Sequence, residues 1–209
     1  MQDRTKTDQP EKKTRGRPRA YDPKEAMARA ADLFWRLGYA ATSLDDIAAA
    51  TGMNRPSLRA AFGDKHSIYV RALTDYWAAK FLSMRAALDE DVPLAEALMR
   101  AYDAALSMYF SPEGEARGCF VVGTAVTEAY DDPEIRRIVA EGFLQLDASF
   151  EARLSSSRHA GELRSDKDAK GLAVLASAVM HTIALRARSG TSRDELRKLA
   201  VSAVEVICQ

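Results

Sequence analysis

The side chains best suited to recognising a partner lie close together, as Arg55, Ser57 and Arg59 within NRPSLRAAF, with Pro56 and Ala60 beside them. On a helix these five turn outward while Leu58 and Phe62 turn in. A guanidinium neutralises phosphate or forks onto the acceptor edge of guanine, a serine hydroxyl meets either kind of partner, and proline and alanine offer apolar contact to thymine methyls. Groups for catalysis or metal binding do not assemble in the same way. His66, His159 and His181 share no ligand spacing, Cys119 and Cys208 form no CxxC, and no GxSxG, phosphate loop or dinucleotide fingerprint occurs. The acidic runs Asp45-Asp46, Asp89-Glu90-Asp91 and Asp131-Asp132 fall at helix starts or in loops, where capping and solvation account for them. Neither a metal nor a cofactor is expected.

The arginines are positioned by residues 42–63, which read as two short helices hinged at a glycine. Ser43 caps the first, with Leu44, Ile47 and Ala48 on its apolar face, and Gly52 ends it. Asn54 caps the second, and Pro56 sits in its first turn, where the missing amide has no helical partner. The pair is a helix-turn-helix whose cationic second helix suits the DNA major groove. Upstream, Asp22-Pro23-Lys24-Glu25 opens a platform helix as a capping box, and Gly38 closes it. Residues 1–20 hold few apolar side chains and are expected to be disordered; within them KKTRGRPR, residues 12–19, carries five positive charges. Arg15 and Arg17 flank a glycine in this slim basic arm, which is suited to a narrow minor groove.

Asp64 caps a long helix through Trp77 and Leu88, which gives the recognition helix a mechanical link to the rest of the chain. The remainder is helical in pattern. Pro93 opens one helix, residues 111–118 form a loop, Cys119 to Tyr130 is a short apolar helix, and another follows Pro133. Ser155 to Ser165 reads as a loop. The last two helices, Lys170 to Arg188 and Ser192 to Ile207, are apolar nearly all round, which predicts a second buried face and a two-fold four-helix interface.

The 209 residues are 47% apolar and 29% charged, enough for a sizeable core, and carry no net charge. The charges are nevertheless segregated: residues 1–80 hold 15 Lys/Arg against 10 Asp/Glu, and residues 81–209 hold 15 against 20. Two cysteines make no disulfide framework, so a reduced cytosol is expected. The N-terminus has no apolar signal core, and the run Leu172 to Leu185 is read as too short for a membrane span.

The run FWRLGYAATSLDDIAAATGMNRPSLRAAFGDKHSIYVRAL, from Phe34 to Leu73, with the RGRPR arm before it, resembles the TetR/AcrR family of bacterial transcriptional regulators. The resemblance implies an all-α chain of about nine helices. Residues 1–20 would be the arm, 21–66 the DNA-binding domain and 67–209 a ligand-binding and dimerisation domain. It also implies a cytoplasmic repressor, on the nucleoid when bound, that holds a palindromic double-stranded operator as a homodimer through its last two helices. An unknown small molecule would release it. The family's DNA contacts fall on Thr42 or Ser43, on Arg55, Pro56, Ser57, Arg59 and Ala60, and on Lys65. Arg59 departs from the family pattern, because many members carry tyrosine there, and a different base preference is expected. Candidate pocket residues are Trp77, Phe81, Met84, Tyr102, Tyr109, Cys119, Phe120, Phe143 and His181, although such side chains at helical spacing also fill ordinary cores. Cys119, at a helix start, is either a redox-sensitive thiol or a small buried hydrophobe. The alternatives are a DNA-binding protein without ligand, disfavoured by some 130 residues of separate acidic domain, and a helical enzyme for which no catalytic constellation can be named.

Overall fold

The structure, a computed structural model, describes residues 21–111 and 113–209. The basic arm with Arg15 and Arg17 lies outside the described residues. Among those described, nine α-helices follow one another: α1 (Pro23–Leu37), α2 (Leu44–Thr51), α3 (Arg55–Phe62), α4 (Lys65–Leu88), α5 (Leu94–Tyr109), α6 (Val126–Glu128), α7 (Pro133–His159), α8 (Ala169–Arg188) and α9 (Arg193–Cys208).

Local chemistry sets the boundaries of the first four. Asp22 accepts from the Lys24 amide at 2.8 Å, with Pro23 in the first turn of α1. The expected capping box does not form there, because Glu25 instead pairs with Arg29 one turn on, at 2.5 Å. Ser43 and Asp46 do form a full box at the start of α2, and Gly52 ends that helix in the left-handed conformation that only glycine adopts cheaply. Asn54 accepts from the Ser57 amide at 2.9 Å to start α3, and Asp64 accepts from the Ser67 amide at 2.8 Å to start α4. Phe34, Ile47, Leu58, Ile68 and Leu73 are buried where these helices meet, so α3 is fixed against a rigid base.

The 24 residues of α4 extend about 36 Å and pass from this module into the larger bundle. There α7 packs on α8, α5 on α4 and α9, and α8 on α9. Two stretches differ from expectation. The segment after Cys119 is not a plain helix, since residues Val121–Ala125 form a π turn ahead of α6. Thr124 donates to the Phe120 carbonyl at 2.8 Å within it and shares a 2.7 Å hydrogen bond with the Tyr69 hydroxyl. The expected loop at 155–165 begins later, because α7 runs to His159. Serines weaken a helix by competing for its backbone, but here Ser157 is buried and accepts from Arg153 at 2.6 Å, which ties the last turn down.

Helix α8, with 20 residues, is long and apolar enough to cross a membrane. The sequence reading understated its length. Ala173, Ala176, Met180, Ile183, Ala184 and Ala187 nevertheless face the bundle, and Ser177 donates to Asp147 of α7. Both features are those of a core helix.

Candidate nucleic-acid interface

Burial of Leu58 at 1% exposure fixes how α3 is turned. Arg55, Pro56, Ser57, Arg59 and Ala60 are all left exposed on its outer side. Among the described residues, Arg59 has no hydrogen-bond or ion-pair partner, so its guanidinium stands free. Arg55 is different. Its Nε and a terminal nitrogen both donate to the Asp45 carboxylate of α2, a bidentate pair across the turn, and this partner raises the Arg55 pKa. Asp45 was readable only as a cap-region acid, because its partner lies ten residues away across a turn and no periodicity links them.

The other expected contacts divide. Ser43 is exposed, yet its hydroxyl accepts from the Asp46 amide and donates to the Asp46 carboxylate at 2.6 Å. Thr42 is buried at 1% exposure and donates to the Gly38 carbonyl at 2.7 Å, so of that pair only Ser43 reaches the surface. Lys65 is half-buried, its Nζ donating to the Tyr39 carbonyl at 3.0 Å and lying 4.1 Å from the centre of the Tyr39 ring.

Three contacts join this reading head to the bundle. Nε1 of Trp35 donates to the carbonyls of Arg117 and Gly118 at 3.1 and 3.2 Å, while Arg188 of α8 donates to the Trp35 carbonyl at 3.1 Å. The Tyr69 ring packs on Phe34 and Tyr39 on one side and on Phe120 on the other. His66 lies 2.7 Å from Asp132, the residue that caps α7. None of these was legible in the sequence, because each depends on how distant helices cross.

The expected pocket residues do not line a single cavity. Trp77 and Phe81 border a groove of about 400 Å³ between α4 and α7, together with Gly142 and Ile138. Phe120 borders a second cleft, of about 290 Å³, under α1 with Trp35 and Tyr76. Met84, Tyr102, Tyr109 and Cys119 are packed in the core, and Cys119 Sγ accepts from the Tyr76 hydroxyl at 3.1 Å. Phe143 packs against both Trp77 and His181. Desolvation, followed by the nearby charge of Lys80, holds His181 down at about 4. Lys80, buried in the same region, was missed because a lysine on a long helix reads as solvated.

A three-helix reading head with an exposed cationic second element, rigidly joined to a larger helical bundle, defines a helix-turn-helix DNA-binding regulator. A family model described as bacterial regulatory proteins of the tetR family matches residues 26–72, and one described as a tetracyclin repressor-like C-terminal domain matches residues 95–202. The chain belongs to the TetR family of bacterial regulatory proteins, whose members are DNA-binding transcriptional regulators and not enzymes. It is 30% identical over 190 residues to the HTH-type transcriptional repressor ComR of Escherichia coli K12, covering 90% of each chain. It is 29% identical over 192 residues to the repressor BdcR of the same organism, covering 92% of each. Among solved structures, a cysteine-substituted form of the TetR regulator CifR in complex with a 26 bp operator superimposes with a TM-score of 0.82 at 28% identity, covering 91% of this chain and 98% of that one.

Proposed function

We propose that this regulator is a repressor that binds a palindromic operator as a homodimer and is released by a small molecule held in residues 67–209. The observation that carries the DNA reading is the exposed, cationic outer face of α3, fixed by the burial of Leu58. Ser43, Arg55, Pro56, Ser57, Arg59 and Ala60 meet the major groove, Arg15 and Arg17 enter the minor groove, and Lys65 stays at the edge against Tyr39. The operator complex of CifR supports the mode of binding, and the repressors ComR and BdcR support the regulatory sign. Dimerisation is proposed on α8 and α9, where Val174, Leu175, Leu185, Val201 and Val206 are exposed. A cytoplasmic place, on the nucleoid when bound, goes with this role.

The test begins with selection of binding sites from random DNA by the purified protein, followed by gel-shift titration on the selected duplex at several salt concentrations. Arg59→Ala should lose about 1–3 kcal/mol of specific binding, and removal of residues 12–19 should weaken binding and flatten its salt dependence. Recovery of no preferred sequence overturns the operator reading, and an unchanged salt slope removes the arm from the contacts.

A further inference from the structure

The bundle contains a buried lysine that no carboxylate neutralises among the described residues. Lys80 of α4 is 1% exposed, and its Nζ has one hydrogen-bond partner, the Tyr109 hydroxyl at 3.0 Å. An ammonium has three N–H donors. No carboxylate pairs with this one among the described residues, and Asp147, the nearby acid that acts on His181, is held by Ser177. Burial accordingly pushes the Lys80 pKa below the ordinary lysine value.

Two more buried polar atoms in the same region lack a partner, Trp77 Nε1 and His181 Nε2. Trp77 precedes Lys80 by one helical turn and so shares its face of α4. His181 packs on Phe143 at 4.8 Å between ring centres, and Phe143 packs edge-on against Trp77 at 6.0 Å. Native interiors pair nearly all such atoms. Several left unpaired together inside an apolar shell mark a functional site more readily than a structural one.

We propose that this cluster is the effector subsite and that it takes an apolar monocarboxylic acid, with the carboxylate on Lys80 Nζ and the body against Trp77 and Phe143. A single ammonium matches a single negative charge, and Asp147, whose charge acts on His181, disfavours a second. Trp77 also borders the groove between α4 and α7. The indole lies directly over the backbone of Gly142, where a Cβ would come within 2.2 Å of the ring, and no hydrogen bond holds its nitrogen. The site reaches the reading head through backbone. The backbone carbonyl of Tyr109, whose hydroxyl partners Lys80, accepts from the amides of Arg117 and Gly118 at 2.9 and 3.0 Å, and the carbonyls of those two residues hold Trp35 of α1.

This inference rests on the reading of the chain as an effector-released operator binder, and the test separates the two. Benzoate, hexanoate and decanoate, with benzamide, hexanamide and decanamide as neutral counterparts, are titrated into the full-length protein. Tryptophan fluorescence is followed, and gel mobility of the selected duplex is measured in parallel. At least one acid should bind ten or more times tighter than its amide. Lys80→Met, which keeps the volume and removes the charge, should lose that preference while still shifting the duplex, and Lys80→Arg should keep part of it. The proposal is overturned if amides bind as well as acids, if none of the acids binds, or if Lys80→Met binds acid like the parent chain. Should Lys80→Met fail to fold, the acid-to-amide ratio of the parent chain decides alone. Acid binding to Lys80 without any duplex shift by the parent chain would overturn the operator reading and leave the subsite standing.

Discussion

Arg55 and Arg59 lie one helical turn apart on α3 but meet DNA from different starting points. Arg59 has no partner among the described residues, whereas Arg55 must exchange the Asp45 carboxylate for a phosphate or a base edge. An exposed pair of this kind is worth little in itself, but Asp45 also places a negative charge beside the docking phosphates. Asp45→Asn should therefore tighten operator binding by roughly 0.5–1 kcal/mol and steepen the salt slope by about one unit, as measured by fluorescence anisotropy across a salt series. Unchanged affinity and slope would mean that Arg55 stays with Asp45 in the complex and braces α2 against α3. The outward set on α3 was legible because burial of Leu58 and Phe62 alone determines it. The choice between Thr42 and Ser43 was not, since both precede the helix; it depends on which oxygen reaches the Asp46 amide and which meets the Gly38 carbonyl.

At the level of elements, caps and glycines carried most of the reading, and Ser43, Asn54 and Asp64 all cap the helices expected of them. Faces were harder to read. Helix α9 is not apolar nearly all round, for Arg197 and Lys198 are exposed and Arg197 pairs with Asp103 of α5 at 2.8 Å. Leu196, Ala200, Val204 and Ile207 of α9 point into their own bundle, while Val206 of α9 and Leu185 of α8 point out, at 59% and 55% exposure. Composition cannot separate these two apolar faces, because each is built from the same residue types. The distinction decides how the interface is tested: a charge at Leu196 would strike the core of one chain. Val206→Glu and Leu185→Glu should instead give folded monomers in sedimentation, with helical content unchanged, since an unpaired carboxylate is costly only where the two copies meet. Persistent dimers would move the interface off this face.

The whole molecule has an acid limit written into its interior. His181 titrates near 4 when folded, against 6.5 for the ordinary side chain. Between those values the unfolded chain takes up a proton that the folded chain refuses, so stability is full above about pH 6.5 and declines as pH falls toward 4. In urea unfolding the parent chain should lose more stability between pH 7 and pH 5 than His181→Phe does, and equal losses would assign the decline to other groups. The longest reach in the fold belongs to α4, which supports the reading head at one end and walls the bundle at the other. Tyr69 on that helix is gripped by Phe34 and Tyr39 from one half and by Phe120 and Thr124 from the other. The two halves are thus not interchangeable cassettes. A chimaera that transplants the first three helices onto a relative's body must carry over both sets of partners of this tyrosine, or else be joined through the middle of an unbroken hydrogen-bond ladder.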